Sequence, residues 1–165
     1  MIADLAAQDH PDGPASSTAQ AESVAGLLQP VVADLIVLVL YAKNAHWNVS
    51  GPGFRSAHLA LDELVVITSS AADSVAERLR ALGVGVDGTP QAVTTRMATV
   101  SPVAHPTGTT VPVMLSWVAD LIGIVTTRLR AAAGRVGQTD APTGDLLNAI
   151  TLDLEKQKWL LSSES

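Results

Sequence analysis

Residues 46–77 read HWNVSGPGFRSAHLALDELVVITSSAADSVAE, and this stretch decides the architecture. It carries five metal-capable side chains: His46, His58, Asp62, Asp73 and Glu77. His58 and Asp62 are four apart, as are Asp73 and Glu77, so on a helix each pair shares one face and can close on a metal ion. At about 100° per residue, all four of these positions fall within an arc of roughly 100°. Along the axis, however, Asp62 and Asp73 are separated by about 16 Å, too far for one ion to bridge on a straight helix. The numbering supplies a solution: the pair 58 and 77 and the pair 62 and 73 are centred on the same point, between Ile67 and Thr68. An antiparallel copy of the helix, related by a twofold axis there, sets His58 against Glu77 and Asp62 against Asp73. One metal site then forms at each end of the contact. Ser69, Ser70, Ala71 and Ala72 near the crossing are small enough to let two backbones approach. The spacing predicts a metal centre shared between subunits.

The rest of the chain suits a helical domain that associates. At 165 residues it fits one domain with a sizeable core. Cysteine is absent, which excludes disulfides and thiolate metal sites and suits a reducing, cytoplasmic setting. A net charge of −6 disfavours a general nucleic-acid surface. Apolar content of 47% against 16% charged residues is high for a monomer, and buried subunit contacts explain it. The N-terminus shows no basic segment followed by an apolar core, so no signal peptide is expected. Val31–Ala42 and Val111–Val125 are the apolar stretches to consider as membrane spans. Both fall short of the roughly 18 residues needed, and Asp34 and Asp120 interrupt them, so buried bundle helices are expected.

Composition divides the chain into an arm and four long helical segments. Residues 1–20, rich in Asp, Pro, Gly and Ser, read as a flexible acidic N-terminal arm, and residues 21–165 as the bundle domain. A first helix is expected from about Ala21 to Trp47, with Pro30 bending it or marking a late start. After the turn Asn48–Gly53, a second is expected from Phe54 to Leu82, stopped by Gly83. Residues 83–109 form a long crossover in which Thr89 and Pro90 suit the cap and first residue of a short helix. The third and fourth helices are expected at Val111–Val136 and Thr143–Ser162, around a turn at Gln138–Pro142. Two helices, a long connection and two more helices make an all-α, ferritin-like four-helix bundle with a short helix in the crossover between helices 2 and 3. No strand pattern, Walker loop, GxGxxG or internal repeat competes.

The segment from His46 to Gly83, the GTP at 88–90 and DLEKQKWLL at 153–161 together resemble the Dps family of mini-ferritins. The resemblance covers nearly all of residues 22–162. It implies a shell of twelve subunits, built from twofold dimers, that stores iron oxide. His46 matches the first-helix histidine of the family's ferroxidase centre. His58 and Asp62 match its second-helix ligands, and Asp73 and Glu77 the carboxylates given by the twofold-related subunit. Trp47 matches the aromatic residue beside that centre. The implied substrate and cofactor is iron, Fe(II) oxidised to Fe(III), with hydrogen peroxide or dioxygen as oxidant. Imidazole and carboxylate ligands suit Fe(II), and carboxylates hold the harder ferric product better still. Taken singly, His46 could be a structural histidine and Glu77, beside Arg78, a solvated helix face; the set of five in this spacing favours ligation. His10 and His105 are assigned no role.

Departures from the family pattern shape the functional expectation. Leu59 follows His58 where many members carry an acidic residue, so mineral nucleation would lean on Glu63. Asp140 and Asp145 flank the turn before the last helix, where the family places acidic threefold pores, although Asp145 could equally serve the helix dipole. The arm contains Asp4, Asp9 and Asp12 and no Lys or Arg; the first basic residue is Lys43. Phosphate neutralisation dominates non-specific DNA affinity, so direct DNA binding is not expected. The expected function is an iron-storing ferroxidase that protects the cell from oxidative damage. The alternatives are a DNA-condensing shell with secondary iron chemistry, and a metal-binding bundle, holding zinc for instance, without ferroxidase activity.

Overall fold

The structure, a computed structural model, describes residues 14–100 and 104–164, with the side chains of 14–18 and of 100 excepted. Its helices are α1 (Pro14–Asn48), α2 (Phe54–Ala81), α3 (Pro90–Val100), α4 (Val111–Val136) and α5 (Ala141–Glu164). No strand occurs among the described residues; Ser50 and Thr110 form one isolated parallel bridge. The most extensive packing joins α1 to α2 and α4 to α5 as two antiparallel hairpins. α1 against α4 and α2 against α5 then close the bundle, and α3 rests mainly on α1.

α2 shows how the pattern builds the core. Ala57, Leu61, Leu64, Thr68, Ala71, Val75 and Leu79 recur every three or four residues and are all buried, the amphipathic stripe expected of a surface helix. The helix ends through Gly83, whose φ of 80° is open to glycine without strain. Gly83 N–H donates to the Arg80 carbonyl at 3.0 Å, and Val84 N–H to that of Leu79 at 3.1 Å, which satisfies the last carbonyls.

Three sequence expectations change. α1 begins at Pro14, so the last seven residues of the expected arm are helical; residues 1–13 lie outside the described residues. α1 also runs through Pro30, so that proline marks no late start. Buried Leu28, Val31, Val32 and Leu35 hold it against the core on both sides. Gln29 adds a clasp to the crossover, donating from Nε2 to the Asp87 carbonyl at 2.6 Å and accepting the Asp87 N–H at 3.1 Å. Tertiary packing outweighs the lost hydrogen bond. Finally, α1 (from Ala19) and α4 are by length and composition long and apolar enough to cross a membrane, so their length does not exclude it. In the bundle 56% of each apolar window is buried, as in core helices.

The crossover helix sits where Thr89 and Pro90 predict, with the Thr89 hydroxyl 3.4 Å from the Ala92 N–H. A charged junction fixes it. Asp34 of α1, 1% exposed, accepts two 2.6 Å hydrogen bonds from Arg96 of α3 and one of 3.0 Å from Arg128 of α4. Arg128 also donates to the Thr99 carbonyl at the end of α3.

Candidate metal centre

The α1–α2 turn brings the first three expected ligands together. Gly51 (φ 95°) and Gly53 (φ 79°) reverse the chain, and Ser50 anchors the turn by donating its N–H to the Thr109 carbonyl at 2.8 Å. His46, near the end of α1, then faces His58, near the start of α2. Their rings stack at 3.6 Å between centroids and 25° between planes. Each Nδ1 lies 3.0 Å from the other residue's backbone carbonyl. A carbonyl only accepts, so each Nδ1 is the donor, and in the neutral ring that tautomer leaves Nε2 as the nitrogen with which imidazole ligates metals. His46 is 6% exposed, while His58 is half-buried and has Phe54 over its far side at 5.0 Å.

Asp62 completes this group. Its Oδ1 is 3.7 Å from His46 Nδ1 and 2.7 Å from the ammonium of Lys43. The Lys43 hydrogen bond is the main cause holding the Asp62 carboxyl below its ordinary range; burial opposes it, and the nearby His46, Lys43 and His58 charges assist. Lys43 is the site residue that sequence reading missed. Its signal was available: it precedes His46 by three positions and therefore shares its helix face.

Asp73 and Glu77 do not join this group. Both are exposed further along the unbroken α2, on the same outward face as Leu59 (54% exposed) and Val66 (68% exposed). Asp73 borders an apolar groove of about 340 Å³ between α1, α2 and the crossover, lined also by Val32, Ile36 and Val39. Among the described residues no three His, Asp or Glu side chains of the single chain could hold a metal ion. The chain presents a half-set of ligands beside an exposed, partly apolar helix face.

The remaining expected positions have definite surroundings. Trp47, next to His46, is 70% exposed. Glu63 is exposed and accepts a hydrogen bond of 3.1 Å from buried Gln157 of α5. Asp140 caps α5: it accepts the Thr143 hydroxyl at 2.7 Å and the Thr143 N–H at 3.4 Å, and pairs with Arg78 of α2 at 2.7 Å. Burial pushes its carboxyl up, but the Thr143 and Arg78 hydrogen bonds outweigh it and the net shift is downward. Asp145 is exposed on the first turns of α5. His105, assigned nothing from sequence, accepts from Asn44 Nδ2 of α1 at 2.8 Å and packs its ring 4.7 Å from Trp117 of α4, so it ties the crossover to both helices.

A model of the ferritin-like domain matches residues 25–164. The chain is 33% identical over 143 residues to a DNA protection during starvation protein of Brevibacillus brevis, covering 85% of this chain and 93% of that one. Its structure is similar to that of Dps from Microbacterium arborescens in the high iron form. That match has a TM-score of 0.80 and 27% identity over 94% of this chain and 96% of that one. It is also similar to Mycobacterium smegmatis Dps in a tetragonal form, with a TM-score of 0.78 and 31% identity over 87% and 86%.

Proposed function

The chain belongs to the Dps branch of the ferritin-like family, a family known for iron binding and DNA protection, and on that premise we propose that it is an iron-storing ferroxidase. One observation carries the reading: His46 and His58 lock each other's Nδ1 onto backbone carbonyls and so keep both Nε2 atoms ready to ligate. Asp62 adds an oxygen, and Asp73 and Glu77 of a second, antiparallel copy complete the centre. This nitrogen and oxygen set suits Fe(II) as substrate, and its carboxylate share favours the ferric product. Hydrogen peroxide is the preferred oxidant in this reading, with dioxygen the alternative. The ferric product is stored as mineral inside a shell, most simply a dodecamer of roughly 200 kDa built from twofold dimers. Exposed Val66 and Leu59, on the same outward face of α2 as the two carboxylates, support coverage of that face by another copy. Trp47 lies beside the centre, Asp145 serves ion entry, and Glu63 serves nucleation. Asp140 is the weaker pore residue, because Arg78 already engages it. The work is set in the cytoplasm, where removing ferrous iron and peroxide protects DNA indirectly.

Stopped-flow oxidation of Fe(II) with peroxide or oxygen tests this reading. Replacing His46 and His58 together with non-ligating residues should slow the initial rate strongly while light scattering still finds the assembled shell. Unchanged initial rates in the double variant would sink the assignment.

A further inference from the structure

The shared centre poses an electrostatic problem before any metal arrives. Antiparallel pairing brings Asp62 of one copy up to Asp73 of the other, with Glu77 a turn away, and juxtaposed like charges oppose association. The chain already holds a cation at that spot. Lys43 Nζ lies 2.7 Å from Asp62 Oδ1, its side chain 32% exposed, delivered from α1 one turn before His46. Two neighbouring basic groups are directed elsewhere: Arg78, next to Glu77 in sequence, donates to Asp140 and Thr143, and Arg80 to the Val84 carbonyl.

We propose that Lys43 is a placeholder cation: in the metal-free protein its ammonium bridges Asp62 to Asp73 of a second copy, so the contact forms empty, and an incoming divalent ion displaces it. The inference rests on the antiparallel pairing proposed above and adds a regulation to it, namely assembly independent of metal. Lysine suits the task. Its compact charge sits on a flexible four-carbon stem and can swing into solvent without moving α1, whereas an arginine fork grips a carboxylate more rigidly. Displacement also makes metal uptake competitive, since each ion must replace a resident ammonium on Asp62.

The test uses the full chain stripped with EDTA, with Zn(II) as a redox-inert probe, followed by sedimentation velocity at micromolar concentration and calorimetry. Wild type and K43R should stay assembled without metal. K43M keeps the apolar stem and removes the charge. It should raise the dissociation constant of the metal-free contact by at least about tenfold, regain wild-type assembly on adding Zn(II), and bind Zn(II) severalfold more tightly. Circular dichroism reports whether K43M is folded, and K43Q takes its place if it is not. Wild type that binds Zn(II), together with K43M as resistant to dissociation in EDTA as wild type, overturns the placeholder alone. Wild type that binds no Zn(II) overturns the shared centre as well.

Discussion

Asp34 and Arg96 meet through two guanidinium nitrogens, Nε and Nη2, and both carboxylate oxygens, at 2.6 Å each, across 62 positions of sequence. This fork joins the middle of α1 to the crossover helix, and Arg128 extends it to α4. A nearly unexposed carboxylate is tolerated only because two guanidinium groups surround it. They thereby fix how the crossover lies on the helix that carries Lys43 and His46.

Substituting Asp34→Asn keeps the shape and removes the charge. The arginines, each about a quarter exposed, can turn partly to water, which moderates the loss. We expect a destabilisation of about 2–3 kcal/mol, read by chemical denaturation. A D34N midpoint equal to wild type would mean that packing alone holds α3.

Acid should loosen the α2–α5 tie at Asp140. Its folded carboxyl titrates below the ordinary value of 3.8, so the stability it contributes is fully present above that value and is lost as pH falls through the lower folded one. D140N should therefore melt below wild type at neutral pH, by about 1 kcal/mol of stability, and the two should converge in acid once pH falls below the lowered folded pKa. Parallel melting curves at both pH values would contradict the assignment.

Two glycines in the same hairpin should respond with opposite signs. A Cβ on Gly144 would lie 2.8 Å from Gly137 Cα, backbone against backbone, where neither helix can yield cheaply. G144A should cost about 2–3 kcal/mol by forcing α4 and α5 apart. Gly134 has nothing within 4 Å of its Cβ position and sits inside α4, so G134A should add about 0.5–1 kcal/mol. Thermal melts of the two single variants decide this directly.

DNA is expected to stay free. The charged side chains of residues 1–20 are acidic, and acidic residues outnumber basic ones 16 to 10 over the whole chain. Negative arms on a shell repel the phosphate backbone rather than release its counterions. The metal-free protein should give no plasmid retardation at about 0.15 M salt and neutral pH. Retardation under those conditions would point instead to a basic patch assembled on the outer helix faces.

The sequence alone determined the features that are periodic or local. α4 runs from Val111 to Val136 as the apolar pattern requires. The crossover helix starts at Pro90 behind Thr89, and α2 stops before Gly83, because caps and stops act within a few residues. The spacing of 46, 58, 62, 73 and 77 gave the candidate ligands, because a helix turns sequence separation into angle and rise. Tertiary structure alone decided what depends on distant partners. That Asp140 pairs with Arg78, 62 positions earlier, was set by the packing of α2 on α5. Asp140 also caps α5, so the helix takes in Pro142, which composition had assigned to a turn. Pro30 lies inside α1 because buried neighbours and the Gln29 clasp outweigh its missing N–H. Which imidazole nitrogen is free, and that Lys43 lands on Asp62, follow from how two helices meet, and no local pattern along one of them encodes that.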